Sequence, residues 1–450
     1  MRTVAILPVH QDRFALWMTL AQAPFCAGMT GTPLPLTFLS DRAGRIMLSL
    51  LYFEWKKSFG RWAVLSVLFI FTIIDLANTA YRFRTDSWFA DSSGWQKAYW
   101  QLYGEIAGTI TQEKLNHLQG IYGPLAEKVA DLTFERSENP DSLTGINEYS
   151  DYLMLERFYV EPMRNFLEYG EQARHVAQYA QENIQLYTRL GNTYECRKNA
   201  KICTLFADRQ ITSFAYTEIW ERLADYTFST WLTLLLCLFA VSASFSAEKE
   251  IKMDLLLCTM PGGRKQTAIA KCLSSAAFAI LVAVWFSLWD MLGFAWNYQT
   301  TAGLSMPVYA LGGYANTPLQ CSVGVYFLLC AVLRALGVLF FSLLCCGCSA
   351  LFSNALYPFF AGCGLAFASC AVSVASDFLH DPCWRAFNPA SLLFPKSLFA
   401  STEYLNCLGE PIPAPMFVVA FALLATVLLV VLLCRKGKLW TSFAANPKNY

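Results

Sequence analysis

Long unbroken apolar runs dominate this chain. A helix needs about 20 mainly apolar residues to cross a bilayer core of roughly 30 Å. Six stretches meet that length: 62–81, 228–245, 269–296, 323–346, 351–375 and 415–434. The fourth and fifth are separated only around residues 347–349, which suits a tight helical hairpin. Too many long runs would compete for one interior if these were core helices of a soluble fold. The pattern changes between the first and second runs. Met163, Phe166, Gly170, Ala173, Ala177, Ala180, Ile184 and Tyr187 recur at spacings of three and four, with Glu168, Glu171, Arg174 and Gln181 off the seam. That is one face of an amphipathic helix. Pro162 suits its first turn, and Gly191-Asn192 supplies a stop. An earlier helix is expected from about 109–111, carrying Leu115 and Leu118, then Leu125 and Val129 after a glycine-containing break. The polar run 137–145 reads as a loop. The plain explanation of the seam is the core of a small helical domain. A stalk that pairs with another subunit or captures a ligand would show the same stripe.

Composition agrees with the pattern. Of 450 residues, 55% are hydrophobic and 15% charged, with a mean hydropathy of +0.36. Soluble proteins carry about 25% charge. An aromatic content of 15% excludes a disordered chain, and a net charge of +1 disfavours nucleic acid as a partner.

The position of the charges sets an orientation, because lysine and arginine gather on the cytoplasmic flanks of spans. Arg42, Arg45, Lys56, Lys57 and Arg61 precede the first run; Lys249, Lys252, Arg264, Lys265 and Lys271 follow the second; Arg435, Lys436, Lys438 and Lys448 follow the last. The alternate connections, 297–320 and 376–414, hold only Arg385 and Lys396. Both termini are therefore expected in the cytoplasm, and 82–226 outside, with 21 acidic and 15 basic residues, a local net charge of −6. The expected architecture is an all-α polytopic membrane protein: six transmembrane helices with an inserted helical extracellular domain. Four cysteines fall outside, Cys196, Cys203, Cys383 and Cys407. They allow the pairs Cys196–Cys203 and Cys383–Cys407, which the compartment would favour, or free thiols.

After the second run the chain reads Phe245-Ser-Ala-Glu248-Lys-Glu250, then Met253-Asp254-Leu-Leu-Leu, Pro261-Gly262-Gly263-Arg264-Lys265 and Ala270-Lys271. This is a short charged helix, a glycine turn and a basic helix start, a polar knob tethered at both ends to spans. The run F-S-x-E-x-x-x-x-M-D-L-L-L-x-T-x-x-G-G-R-K-x-x-x-x-A-K resembles the first cytoplasmic loop of ABC-2-type transporter permeases of Gram-positive bacteria. Met47-Leu-Ser-Leu-Leu-Tyr-Phe-Glu54-Trp-Lys56-Lys57 is similar to their amino terminus, an interfacial helix over 47–61 leading into the first span. The resemblance covers topology from about residue 47 onward and motifs in these two stretches alone. It implies a plasma-membrane exporter subunit that works as a dimer with a second permease copy or paralogue and with a separate ABC ATPase. It places Glu248, Glu250, Asp254, Arg264 and Lys265 in or beside the coupling helix, and Lys56 and Lys57 near anionic lipid headgroups. Residues 1–46 precede the family's usual start at Met47, and are expected to be an over-called start or an unstructured extension.

Nucleotide chemistry has no frame here. No G-x-x-x-x-G-K-[ST] loop exists, and the Gly262–Thr267 stretch lacks its spacing. The expectation is that this chain is no enzyme and binds no cofactor or metal, ATP and magnesium being used by the partner ATPase. His10, His117, His175 and His380 are scattered, and Cys345, Cys346 and Cys348 read as small residues of a tight hairpin rather than a soft-metal site. Three ionisable residues lie inside the runs: Asp75, Asp290 and Arg334. Each costs about 2.5–3.5 kcal/mol at mid-bilayer, so a partner is required. At about 1.5 Å per residue from the outer boundary, Asp75 lies roughly 9 Å deep and Arg334 roughly 18 Å, with Asp290 near the outer face. An Asp75–Arg334 ion pair is the first expectation. Three functions compete: the exporter subunit; a membrane-anchored sensor or adhesion protein acting through the external domain; and an intramembrane enzyme, for which no paired catalytic residues are present.

Overall fold

A computed structural model describes residues 36–87, 89, 93–134, 137–253, 263–379 and 382–444. Within them, side chains are described except those of 36–46, 93, 263–264, 376–379, 382–383 and 436–444. The chain is overwhelmingly helical. Six helices are long and apolar enough to cross a membrane, which marks a multi-pass membrane protein. They are α2 (Trp62–Asp86), α9 (Phe228–Glu250), α10 (Gly263–Tyr298), α11 (Val323–Leu351), α12 (Leu356–Leu379) and α15 (Ala414–Ala444). All but the fifth outrun the apolar stretches that announce them, because hydrogen bonding continues along a helix after its side chains turn polar, and the fifth starts later and ends later than its stretch. The fourth and fifth meet not at 347–349, which lie inside α11, but at 352–355, where the Asn354 carboxamide accepts a hydrogen bond from the Leu356 amide at 2.9 Å. Ahead of them, α1 runs Leu36–Ser58, so residue 47 falls within a helix. Residues 1–35, and with them His10, lie outside the described residues.

The chain falls into two units, 1–49 and 50–450. Of the first, only the start of α1 is described. In the second, α9 is central, with 67% of its apolar window buried, against 22% for α2 and 17% for α15. Phe69, Ile70, Ile73 and Ile74 on α2, and Leu424, Val427 and Leu428 on α15, turn outward. An exposed apolar surface that continuous needs an apolar solvent. The bundle's core comes from Leu236 and Val241 on α9, Ala279 and Phe286 on α10, and Val338 and Phe341 on α11. Phe59, just beyond α1, stacks on Phe278 with ring centroids 4.2 Å apart.

The segment between α2 and α9 forms α3 (Ser93–Ile106), α4 (Gln112–Ala130), α5 (Glu148–Leu155), α6 (Glu161–Arg189), α7 (Thr193–Phe206) and α8 (Glu218–Asp225). A single π-helical turn, Glu156–Val160, joins α5 to α6. Thr111 caps α4, accepting from the Lys114 amide at 3.4 Å, and the helix continues without a break through Gly120, Gly123 and Pro124. Proline removes only its own amide from the hydrogen-bond ladder, and Leu118 anchors the helix in the core. The seam of α6 buries Met163, Phe166, Ala173, Ala177 and Ala180, with Tyr169 in place of Gly170, and packs on α7. Its partner is therefore within this chain. The loop at 137–145 is held by the Asp151 carboxylate, which accepts from the Leu143 and Thr144 amides at 2.8 and 2.7 Å. Cys196 and Cys203 are free thiols. Seven residues apart on α7, their α-carbons are separated by about 10 Å along the axis, beyond disulfide reach, which corrects that pairing. Cys407 is free, and the Cys383 side chain lies outside the described residues.

This segment does not stand alone. The connections α10–α11 and α12–α15 join it in one aromatic core with Tyr99, Tyr159, Phe214, Tyr216 and Trp220 at its centre. Burial pushes the Tyr159 phenol above its ordinary range, keeping it a neutral donor, and it donates to the Tyr99 carbonyl at 2.6 Å. Two residues of β1 (Gly108–Thr109) pair antiparallel with β2 (Ser213–Phe214). In the second connection, after the short helices α13 (Pro382–Ala386) and α14 (Pro395–Phe399), β3 (Tyr404–Cys407) and β4 (Glu410–Pro413) form a hairpin whose Leu408-Gly409 turn has both residues at positive φ. Lys201 on α7 holds that hairpin through the Pro411 carbonyl at 2.6 Å. Arg209 is buried, lies over the Phe206 ring, and donates to the Thr317 carbonyl at 2.8 Å. Trp220 Nε1 donates to the Ala302 carbonyl at 2.6 Å. Next to it Gly303 turns with φ of +85°, and a β-carbon there would stand 2.5 Å from the Tyr216 carbonyl oxygen. Gly303→Ala is expected to cost about 2–3 kcal/mol through backbone strain and overpacking. The loss should appear as a lower unfolding temperature in detergent, whereas alanine at the unobstructed Gly104 should have little effect.

Candidate functional site: two buried charge clusters and a cavity

Lys271 sits where an apolar helix begins, yet it is 1% exposed. A bare ammonium there would be prohibitively costly, so its surroundings must supply acceptors. Glu54 on α1 approaches its Nζ at 3.0 Å, Glu248 on α9 at 2.8 Å, and the Ser244 carbonyl at 2.6 Å. Lys57, one turn beyond Glu54, forms a further ion pair with Glu248, and the Phe245 ring lies 5.3 Å from Lys271 Nζ. Two lysines and two glutamates thus make a neutral cluster joining α1, α9 and α10. It lies at the point where the chain leaves α9 for residues 251–262 and returns into α10. Ser349 on α11 adds a polar join, accepting from the Phe245 and Ser246 amides at 3.0 Å each and donating to the Ser242 carbonyl at 2.6 Å.

This geometry redistributes the residues expected in the coupling loop. Glu248 is internal, facing Lys57 and Lys271. Glu250 and Lys265 are exposed. Asp254 and the Arg264 side chain lie outside the described residues. Neither Lys271 nor Glu54 was singled out from sequence as a site residue. The available signal was charge of opposite sign embedded in apolar context, Leu-Leu-Tyr-Phe-Glu54-Trp and Ile-Ala-Lys271-Cys.

The second cluster holds the three ionisable residues found inside the apolar runs. Arg334 on α11 donates to Asp290 Oδ2 on α10 at 2.7 Å, and Ser229 on α9 donates to the same oxygen at 2.7 Å. Asp75 on α2 is completely buried and accepts from the Tyr226 hydroxyl at 2.7 Å. The Asp75–Arg334 pair is therefore corrected: arginine pairs with Asp290, and Asp75 with Tyr226. Depth counted in residues misleads here because an arginine side chain reaches several ångströms along its helix.

A cavity of about 650 Å³ opens between the π-helical turn, α8 and residues 309–315. Its wall carries Glu161, Glu218, Glu221 and Asp225 beside Arg157 and Arg222. Glu221 accepts from the Gly312 amide at 2.9 Å, tying α8 to the α10–α11 connection. The size lies within the range of small-molecule sites. Four separate segments line it, so no contiguous motif announces it. Cys345 and Cys346 turn apart, Cys345 toward the Leu238 and Pro358 carbonyls at 3.6 Å each and Cys346 toward Cys272. Among the described residues no group of histidine, cysteine and carboxylate side chains is placed to hold a metal ion. No protein-family model, curated protein or solved structure matches this chain.

Removing one member of a buried charge cluster strands the others. Lys271→Met leaves Glu54 buried without its cation and is expected to cost about 3–5 kcal/mol. Adding Glu54→Leu should recover a large part of that loss. Thermal unfolding of the single and double variants in detergent measures both, and a double variant no better than the single would refute the pairing.

Proposed function

We propose that this chain is the membrane subunit of an ATP-driven exporter, coupled through residues 251–262 to a separate ATPase. The observation that carries the reading is the Glu54–Lys57–Glu248–Lys271 cluster, which anchors both ends of that loop to a third helix. A loop transmits work only when its roots move with the spans rather than swivel freely, and it must bind the ATP-bound and ADP-bound motor differently. Buried ion pairs at both roots provide such a rigid mount. Exposed Glu250 and Lys265 stand beside the loop as contacts for the motor, while Glu248 positions it. On the positive-inside reading these roots face the cytoplasm of a bacterial plasma membrane, and the inserted segment lies outside as an extracellular domain. A second copy or paralogue completes the pathway, and the bundle is solvated by lipid. The resemblance of 245–271 and 47–57 to ABC-2-type permeases supports the same assignment.

A second reading, a membrane-anchored sensor, is favoured by one feature, the cavity beside α8. The two separate by experiment. Co-purification should recover a soluble ATPase whose turnover in the complex is vanadate-sensitive, and Lys265→Glu should lower both recovery and turnover by about tenfold, the effect of roughly 1.4 kcal/mol of lost contact. A chain that purifies without any ATPase, or a Lys265→Glu variant with unchanged assembly and turnover, would remove the exporter reading.

A further inference from the structure

Asp75 and Asp290 carry four carboxyl oxygens, and hydrogen bonds from the described residues reach only two of them. Asp290 Oδ2 receives Arg334 and Ser229; Asp75 Oδ1 receives Tyr226. Asp75 Oδ2 and Asp290 Oδ1 are sealed from solvent and have no hydrogen-bond donor among the described residues. Asp75 lies between Thr72 and Thr79 on α2 and Asp290 between Trp285 and Gly293 on α10, so the contacts joining these flanking residues set the two carboxyl groups side by side. Their helices run closely alongside at this level. Trp285 Nε1 donates to Thr72 at 3.0 Å, Asn297 donates to Thr79 at 3.4 Å, and a β-carbon on Gly293 would stand 3.1 Å from Thr79 Oγ1.

Charge and hydrogen-bond accounting fail in the same place. With both acids ionised the cluster holds two anions against one guanidinium, a net charge of −1 in an apolar interior, with two buried acceptors that no described donor reaches. Like charges this close cannot both stay ionised at reasonable cost, and a buried carboxylate oxygen without a donor carries its full desolvation penalty. A single proton corrects both faults. We propose that Asp75 and Asp290 form a shared-proton carboxyl pair, a proton-binding site inside the helix bundle, with the hydrogen on Asp75 Oδ2 and donated to Asp290 Oδ1. Asp290 is the ionised partner because Arg334 and Ser229 both donate to it, whereas the donor to Asp75 is a neutral phenol. Binding adds one proton to one carboxylate and breaks no other bond. The cluster is then neutral, and all four oxygens are engaged.

The proton also has a mechanical consequence. It adds a polar link between α2 and α10 to those of Trp285 with Thr72 and Asn297 with Thr79, while Arg334 links α10 to α11 and Tyr226 ties the approach to α9 onto α2. Loss of the proton turns the link into a repulsion between α2 and α10, so proton occupancy governs how firmly α2 is held. This inference is independent of the exporter assignment, since it needs only the burial and the contacts.

Infrared spectroscopy of the purified full chain in H2O and D2O tests it directly. The wild type should show the C=O band of a protonated carboxylic acid, shifted in D2O. Asp75→Asn should remove that band, and Asp75→Glu should keep a band at a displaced frequency. Asparagine mimics the protonated acid, so Asp75→Asn should keep the unfolding temperature within about 3 °C of wild type, whereas Asp290→Asn, which strips Arg334 of its counter-ion, should lower it by more than about 5 °C. The proposal is overturned if the wild type has no such band, if the band survives in Asp75→Asn, or if Asp75→Asn is as destabilising as Asp290→Asn.

Discussion

The ammonium of Lys271 is the interaction on which the geometry of the bundle's base depends. An amine buried to this degree cannot remain charged without carboxylates, and it obtains them from Glu54 on α1 and Glu248 on α9. That requirement draws together a helix lying before the first span, the most buried span, and the third span. It also fixes both roots of residues 251–262. Buried ion pairs contribute little net stability against an apolar alternative, but they are strongly directional. Here direction is what the design needs, because apolar helices in an apolar solvent gain no hydrophobic preference for one neighbour over another.

A similar logic recurs where α9 begins. Asp290 and Arg334 pair, Ser229 and Tyr226 complete the shell, and Asp75 brings α2 to them. The spans are thus specified at two levels by polar contacts and filled between them by Leu236, Phe286 and Phe341. Beyond the bundle the balance reverses. The inserted segment and two connections are cemented by stacked tyrosines, tryptophans and phenylalanines, with Arg209 and Trp220 reaching across to backbone carbonyls. The connections are short of regular structure, and those side chains satisfy backbone groups that would otherwise be buried unpaired.

Much of the architecture was legible because its signals are local. An apolar run of spanning length declares its own helix, and the three-and-four spacing of α6 declares its buried face. Thr111 announces a helix start through its own side chain, and Gly191-Asn192 announces the end of α6. Where the reading missed, the deciding factor was non-local. The glycine and proline in α4 did not break it, since Leu118 and its neighbours hold the helix in the core. The hairpin turn between α11 and α12 moved a few residues on from the small-residue cluster. Cys196 and Cys203 looked bridgeable by spacing, but helical rise separates them.

The sequence alone determined that this is a helical chain with six spanning-length helices and an inserted helical segment, because length and periodicity are properties of consecutive residues. It also named Asp75, Asp290 and Arg334 as charges needing partners, and marked 246–268 as a charged loop between two spans. Only the tertiary structure decided who pairs with whom. Arginine took Asp290 and not Asp75, and Glu248 turned inward to Lys271 rather than outward. It also brought four separate segments around one cavity. Pairing of that kind depends on how helices cross and where each begins, which no single stretch of sequence encodes.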